Sequence, residues 1–117
     1  MRLPEIAEKL KLKDLTPGQP ADPELDVVRG YASDLLSDVL SNAPSGGVLV
    51  TVQVHMNVVA VAVHAGLAAV IFSGNRAPEA EVRAKAEEEK VKLYAAREST
   101  FDVAGRLYEL GVRGGRA

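Results

Sequence analysis

Apolar positions in residues 3–12 fall at Leu3, Ile6, Ala7 and Leu10, with charged residues between them. That spacing predicts a short amphipathic helix. Residues 16–24, TPGQPADPE, place three prolines and a glycine in nine positions, which predicts a loop. LDVVRGY (residues 25–31) follows as a strand. In SDLLSDVLSNA (33–43), Leu35, Leu36, Val39 and Leu40 form one stripe behind Ser33 or Asp34, either of which can cap a helix. The helix stops in the turn residues APSGG, and VLVTVQV (48–54) is the next strand.

The pattern changes character within TVQVHMNVVAVAVHAG, residues 51–66. Thr51, Gln53, His55 and Asn57 alternate with apolar residues, and then Val and Ala run on without alternation. One strand over 48–63 would extend on the order of 50 Å, roughly three times the usual length. The stretch therefore divides into a strand over 48–54 and a helix over 56–65, stopped by Gly66. His64 falls in the last turn, where the helix dipole tolerates a partly charged ring. Val and Ala cover most of this helix's circumference, so it needs cover on both sides, from the sheet and a neighbouring helix or from a second subunit.

LAAVIF (67–72) is a continuous apolar run of the kind buried parallel strands show. SGN follows it. PEAEVRAKAEEEK (78–90) is a helix with proline and acidic residues at its start. VKLYA (91–95) is a strand, and STFDVAGRLYELG (99–111) is a helix capped by Ser99 or Thr100 and stopped by Gly111. RGGRA (113–117) is expected to fray. From Leu25 onward, strand and helix alternate four times. Such alternation implies right-handed crossovers and an α/β fold, a mostly parallel sheet flanked by helices. At 117 residues the expectation is a single domain over 1–117.

Composition changes this picture mainly by exclusion. With no cysteine, disulfides, thiol catalysis and cysteine metal sites are ruled out. A net charge of -2 without a basic block offers nothing to nucleic acid or to an anionic membrane. Aromatic residues are 4% of the chain and tryptophan is absent, which argues against base stacking or sugar binding. No leader-like segment and no membrane-length apolar run is present, so the expected location is cytoplasmic. There is no G-x-x-x-x-G-K-[ST] phosphate loop and no G-x-G-x-x-G, and His55 and His64 lack metal-ligand spacing. Neither a metal nor a cofactor is expected, and no catalytic set is placed together.

What remains is positional. In an open parallel sheet, ligands bind beyond the carboxyl ends of the strands, where helix N-termini present free N–H groups. The four loops at that edge hold Ser33 and Asp34; Gln53, His55 and Asn57; Ser73, Gly74, Asn75 and Arg76; and Arg97, Ser99 and Thr100. Ser33, Asp34, Asn75, Ser99 and Thr100 also fit as helix caps with no ligand. Gln53, His55 and Arg97 are not standard caps, and His55 also suits a subunit interface. The run Glu87 to Lys90 reads as a solvated helix face.

RGYASDLLSDVLSNA (29–43) together with residues 50–112 resembles a stand-alone DRTGG domain, over nearly the whole chain from Ile6 to Val112. GYASDLLSDV and STFDVAGRLYELG are its more specific stretches. The family's Asp-Arg pair would stand near His55 to Asn57, where neither residue occurs. Its Thr-Gly-Gly corresponds to Ser73, Gly74 and Asn75, of which the central glycine matches. The resemblance implies an α/β domain similar to the N-terminal domain of HPr kinase. Such domains also occur beside CBS domains in regulated pyrophosphatases and near the N-terminus of some phosphate acetyltransferases, in regulatory roles and with dimer contacts. Members are often labelled serine kinases, an activity for which this chain has no phosphate loop. The expectation is thus a non-catalytic regulatory or interaction module. It would be a homodimer through the 56–65 helix, with a small anionic metabolite or nucleotide at the strand ends. The alternatives are a small enzyme or kinase-associated subunit using His55 with Asp34 or Arg97, and a structural subunit of a larger complex.

Overall fold

Pro4 sits in the first turn of α1 (Leu3–Lys9), where its missing N–H leaves no bond unmade, and Leu3 and Ile6 turn inward. The computed structural model describes residues 1–115; Arg116 and Ala117, the end of the tail expected to fray, lie outside the described residues. After α1 come β1 (Lys13–Asp14), β2 (Gly30–Ala32), α2 (Leu36–Asn42) and β3 (Val48–Thr51). Then follow α3 (Asn57–Ala65), β4 (Ala69–Phe72), α4 (Ala80–Glu88), β5 (Lys92–Ala95) and α5 (Thr100–Glu109). No helix among the described residues is long and apolar enough to cross a membrane.

The five strands form one sheet in the order β1-β5-β4-β3-β2. β2 to β5 are parallel, and β1 pairs antiparallel on the β5 edge. Val48, Ala69 and Lys92 stand in register across the three central strands. From β2 to β5, sequence neighbours are sheet neighbours, so each crossover steps the same way, and right-handed connections lay successive helices on one face. One core accordingly joins Val39 of α2, Val58, Val59 and Ala62 of α3, and Val82 and Ala86 of α4 with Leu49, Val70, Phe72 and Leu93 of the sheet. α5 leaves the end of β5 for the other face. There Val103 and Leu107 join Leu3 and Ile6 of α1 over Val48, Val50, Ala69 and Ile71. β3 and β4 are buried on both faces, which is why β4 lies in an unbroken apolar run.

Several boundaries differ from expectation for identifiable reasons. The strand expected over 25–31 contracts to Gly30–Ala32; upstream of it, Asp26 makes an isolated bridge with Arg2. The strand expected over 48–54 stops at Thr51, because its neighbour β2 ends at Ala32 and β4 at Phe72. The 56–65 helix begins one residue later, at Asn57, and its cover comes largely from within the chain, from the sheet with α2 and α4. Gly66 ends it with φ 67°, a conformation that favours glycine, and a Cβ there would stand 2.8 Å from Ser45 Oγ and have to displace it. β1 was not expected: two residues carry no periodicity, and pairing with β5 creates the strand. Arg113 of the tail bridges Arg29 in parallel, with Arg113 N–H donating to Val28 O and Gly30 N–H to Arg113 O, both at 3.0 Å.

Candidate functional site

Beyond Thr51, β3 loses its neighbours, and side chains must satisfy the backbone of residues 52–56. They do so in steps of two. Thr51 Oγ1 accepts from Gln53 N–H at 3.0 Å, Gln53 Oε1 from His55 N–H at 3.2 Å, and His55 Nδ1 from Asn57 N–H at 3.0 Å. The alternating polar residues thus form a ladder that carries an extended chain from β3 into the first turn of α3. At its foot, Asp34 Oδ1 accepts from Thr51 Oγ1 and from Val52 N–H, each at 2.9 Å, tying the loop after β2 to the loop after β3. With Nδ1 as acceptor, the neutral ring carries its proton on Nε2.

Asp34 and Ser33 therefore do not cap α2, contrary to expectation. The N-cap is Leu35, with no side-chain bond, because the Asp34 carboxylate is drawn to β3 instead. Ser33 Oγ accepts from Leu35 N–H at 3.3 Å. Asp38, on the first turn of α2, accepts from Tyr31 Oη and Asn42 Nδ2, both at 2.8 Å. Hydrogen bonds from Ser33, Tyr31 and Asn42 hold its carboxyl below the ordinary value of 3.8. A value lower in the folded than in the unfolded chain adds stability above the unfolded value, and that contribution is lost as pH falls through the folded one. Asp38→Asn is accordingly expected to melt below the native chain at pH 7. The gap should close below about pH 4, as thermal melts across that range would register.

The other half of the edge is held by its own contacts. Ser73, fully buried, places Oγ 2.5 Å from Thr100 Oγ1 at the start of α5. Gly74 N–H donates to Glu98 O at 2.7 Å and Asn75 N–H to Ala96 O at 2.9 Å, so the loops after β4 and β5 are laced together. Gly74 and Asn75 both adopt positive φ, 70° and 58°, and their N–H groups are spent in this lacing. Asn75 thus shapes a turn, whereas Ser99 does cap α5, its Oγ accepting from Asp102 N–H at 3.2 Å. Arg97 is exposed, and so is Arg76 on the neighbouring loop; neither has a hydrogen-bond or ion-pair partner among the described residues.

All eleven expected residues lie on one sheet edge, in two clusters. Asp34, Gln53, His55 and Asn57 belong to the β2–β3 side with Ser33, and Ser73, Gly74, Asn75, Ser99 and Thr100 to the β4–β5 side with Arg97. No hydrogen bond joins His55 to Asp34 or to Arg97. A cleft of about 520 Å³ opens beside the ladder, between Gln53, His55 and Met56 on one wall and Glu79 and Glu81 on the other. The two glutamates give that wall negative charge, a feature the acidic start of α4 foreshadowed as a dipole effect rather than as a cleft lining. Positive charge at this edge comes instead from Arg76 and Arg97. Among the described residues no group of three or more His, Cys, Asp or Glu is arranged to hold a metal.

No family model and no curated protein matches the chain. Among solved structures it is similar to the CBS and DRTGG domains of the regulatory region of Clostridium perfringens pyrophosphatase, a crystal structure complexed with the activator diadenosine tetraphosphate. The TM-score is 0.68 at 13% identity, over 89% of this chain. This chain spans 44% of the length of that one. At such low identity the likeness concerns architecture, and it agrees with the resemblance carried by the sequence: the chain has a DRTGG-like α/β domain fold.

Proposed function

We propose that this chain is a non-catalytic regulatory or interaction module that binds a small anionic metabolite or nucleotide at the β4–β5 side of the strand-carboxyl edge. The observation that carries this reading is the pair of exposed, unpartnered guanidinium groups of Arg76 and Arg97 on two loops fixed to one another by the Asn75–Ala96 and Gly74–Glu98 bonds. Arginine suits phosphate recognition because its planar fork donates two parallel hydrogen bonds. That the similar pyrophosphatase region was crystallised with a dinucleotide activator supports a nucleotide as the first class to test. The engagement of Gln53 and His55 in the loop ladder favours a binding module over an enzyme built on His55.

The module is also proposed to pair with a second copy through α3. Ala60, Val63 and His64 remain exposed on its outer face, beside a cleft of about 270 Å³ shared with Lys85. Light scattering is expected to report a dimer at micromolar concentration, and a monomer throughout would remove this part.

A thermal-shift screen with ATP, AMP, diadenosine tetraphosphate and acetyl phosphate tests the ligand reading. A binding nucleotide at a hundredfold excess over its dissociation constant stabilises by about 2.7 kcal/mol. The expected result is a saturable rise in melting temperature with no turnover of the compound, abolished in the Arg76→Ala/Arg97→Ala double variant. No shift with any compound, or a shift untouched by the double variant, would overturn it.

A further inference from the structure

We propose a second binding site, independent of the strand-end reading: the hollow between α1, β1 and β5, which takes a primary ammonium group on a short apolar chain. The hollow has a volume of about 350 Å³. Ala7, Leu12 and Ala21 give it apolar walls, and Glu8, Asp14 and Tyr94 bring polar groups to it. Tyr94 is 3% exposed, yet its hydroxyl has no hydrogen-bond partner among the described residues. It is also not among the sealed, unsatisfied polar atoms, so the tip of a buried phenol opens onto the hollow. A hydroxyl held at the end of a buried ring with no protein partner calls for one from outside.

The charges around it select the partner. Asp14 takes Lys92 Nζ at 2.6 Å and Thr16 N–H at 2.9 Å on Oδ1, leaving Oδ2 without a bond. The Glu8 carboxylate has no partner among the described residues. Lys92 cannot turn to meet either free oxygen, because its other two N–H groups are committed to Thr16 O at 2.9 Å and Gln19 O at 2.8 Å. Asp14 Oδ2, the Glu8 carboxylate and the phenol oxygen are three acceptor groups, the complement of the three N–H donors of an ammonium group. An anion would face the uncompensated Glu8 carboxylate and the outer oxygen of Asp14, whose other oxygen holds Lys92, and an alcohol has one donor for the three groups. Burial and the Asp14 charge push the Tyr94 hydroxyl up to about 12, so it remains neutral in ordinary buffers.

The test is an NMR titration at constant ionic strength with n-butylammonium chloride, n-butanol and sodium butyrate as probes. The amides of Asp14, Ala21 and Tyr94 are expected to shift saturably with the ammonium, and far less with the alcohol or the carboxylate. Tyr94→Phe should weaken ammonium binding about tenfold, and Glu8→Gln several-fold, while neither lowers the melting temperature. Tyr94→Phe keeps the buried ring and removes an unpaired hydroxyl, so it is expected to fold normally. Equal shifts from n-butanol or butyrate, no saturation, or unchanged binding in a folded Tyr94→Phe variant would overturn the proposal.

Discussion

Replacing Lys92 by methionine is expected to cost about 3 kcal/mol of stability, more than any surface ion pair in the chain. Lys92 lies on β5 with its side chain 5% exposed, and its ammonium bonds Asp14, Thr16 O and Gln19 O. These contacts fasten β1 and the proline-rich loop to the sheet edge. Methionine fills the slot and keeps the apolar stem, but it leaves two inward carbonyls without their donor and the Asp14 carboxylate without its cation. Each lost hydrogen bond to a charged group is worth about 1.5–3 kcal/mol. The half-exposed Asp14 recovers part of this by hydration, and the methionine side chain recovers another part by burial. Lys85 provides the comparison. Its ammonium lies 3.3 Å from Glu89 on an exposed helix face, and such a pair contributes about 0.5 kcal/mol. Urea unfolding of Lys92→Met and Lys85→Met should therefore separate clearly. Equal midpoints for both variants would contradict the structural role given to Lys92.

Asp34→Ala is expected to cost about 2 kcal/mol and to loosen residues 52–56 locally. Thr51 is fully buried, and its hydroxyl donates to Asp34 while accepting from Gln53 N–H. Without the carboxylate that hydroxyl has no acceptor, and Val52 N–H loses its partner as well. The ladder above then loses its anchor. Amide hydrogen exchange at Val52, Gln53, His55 and Asn57 should accelerate in Asp34→Ala more than at the β4 amides. Asp34→Asn keeps an oxygen in place and should recover most of both effects. Exchange confined to α2, with the ladder unchanged, would mean that Asp34 acts as the helix cap after all.

The two predictions differ in how visible they were in the sequence. Asp34 stood out as polar at a strand end, but the local capping role suggested for it gives way to a non-local one. Its true partners, Thr51 and Val52, are 17 and 18 residues away, and only the parallel pairing of β2 with β3 brings them near. Lys92 gave no signal at all. VKLYA reads only as a strand, and the two-residue strand that covers Lys92 has no period of its own. Tyr94, Glu8 and Asp14 went unnoticed as a group for the same reason, since α1, β1 and β5 meet only in the folded sheet.

Local pattern was enough for the rest. The unbroken apolar run at 67–72 marked a buried parallel strand, and the alternation of strands with helical segments settled the α/β class. Gly66 and Ser99 marked a helix end and a helix start by chemistry that acts within a few residues. The excess length of 48–63 forced a break, and the alternating Thr51, Gln53, His55 and Asn57 bracketed it. What the tertiary structure decided was where each strand stops, which face each helix covers, and which polar groups find one another. Strand ends depend on where neighbouring strands run out, and hydrogen bonds on distances set by the sheet. The polar alternation at the junction is therefore a backbone ladder anchored by Asp34, and the exposed arginines of this edge, Arg76 and Arg97, stand on the next two loops.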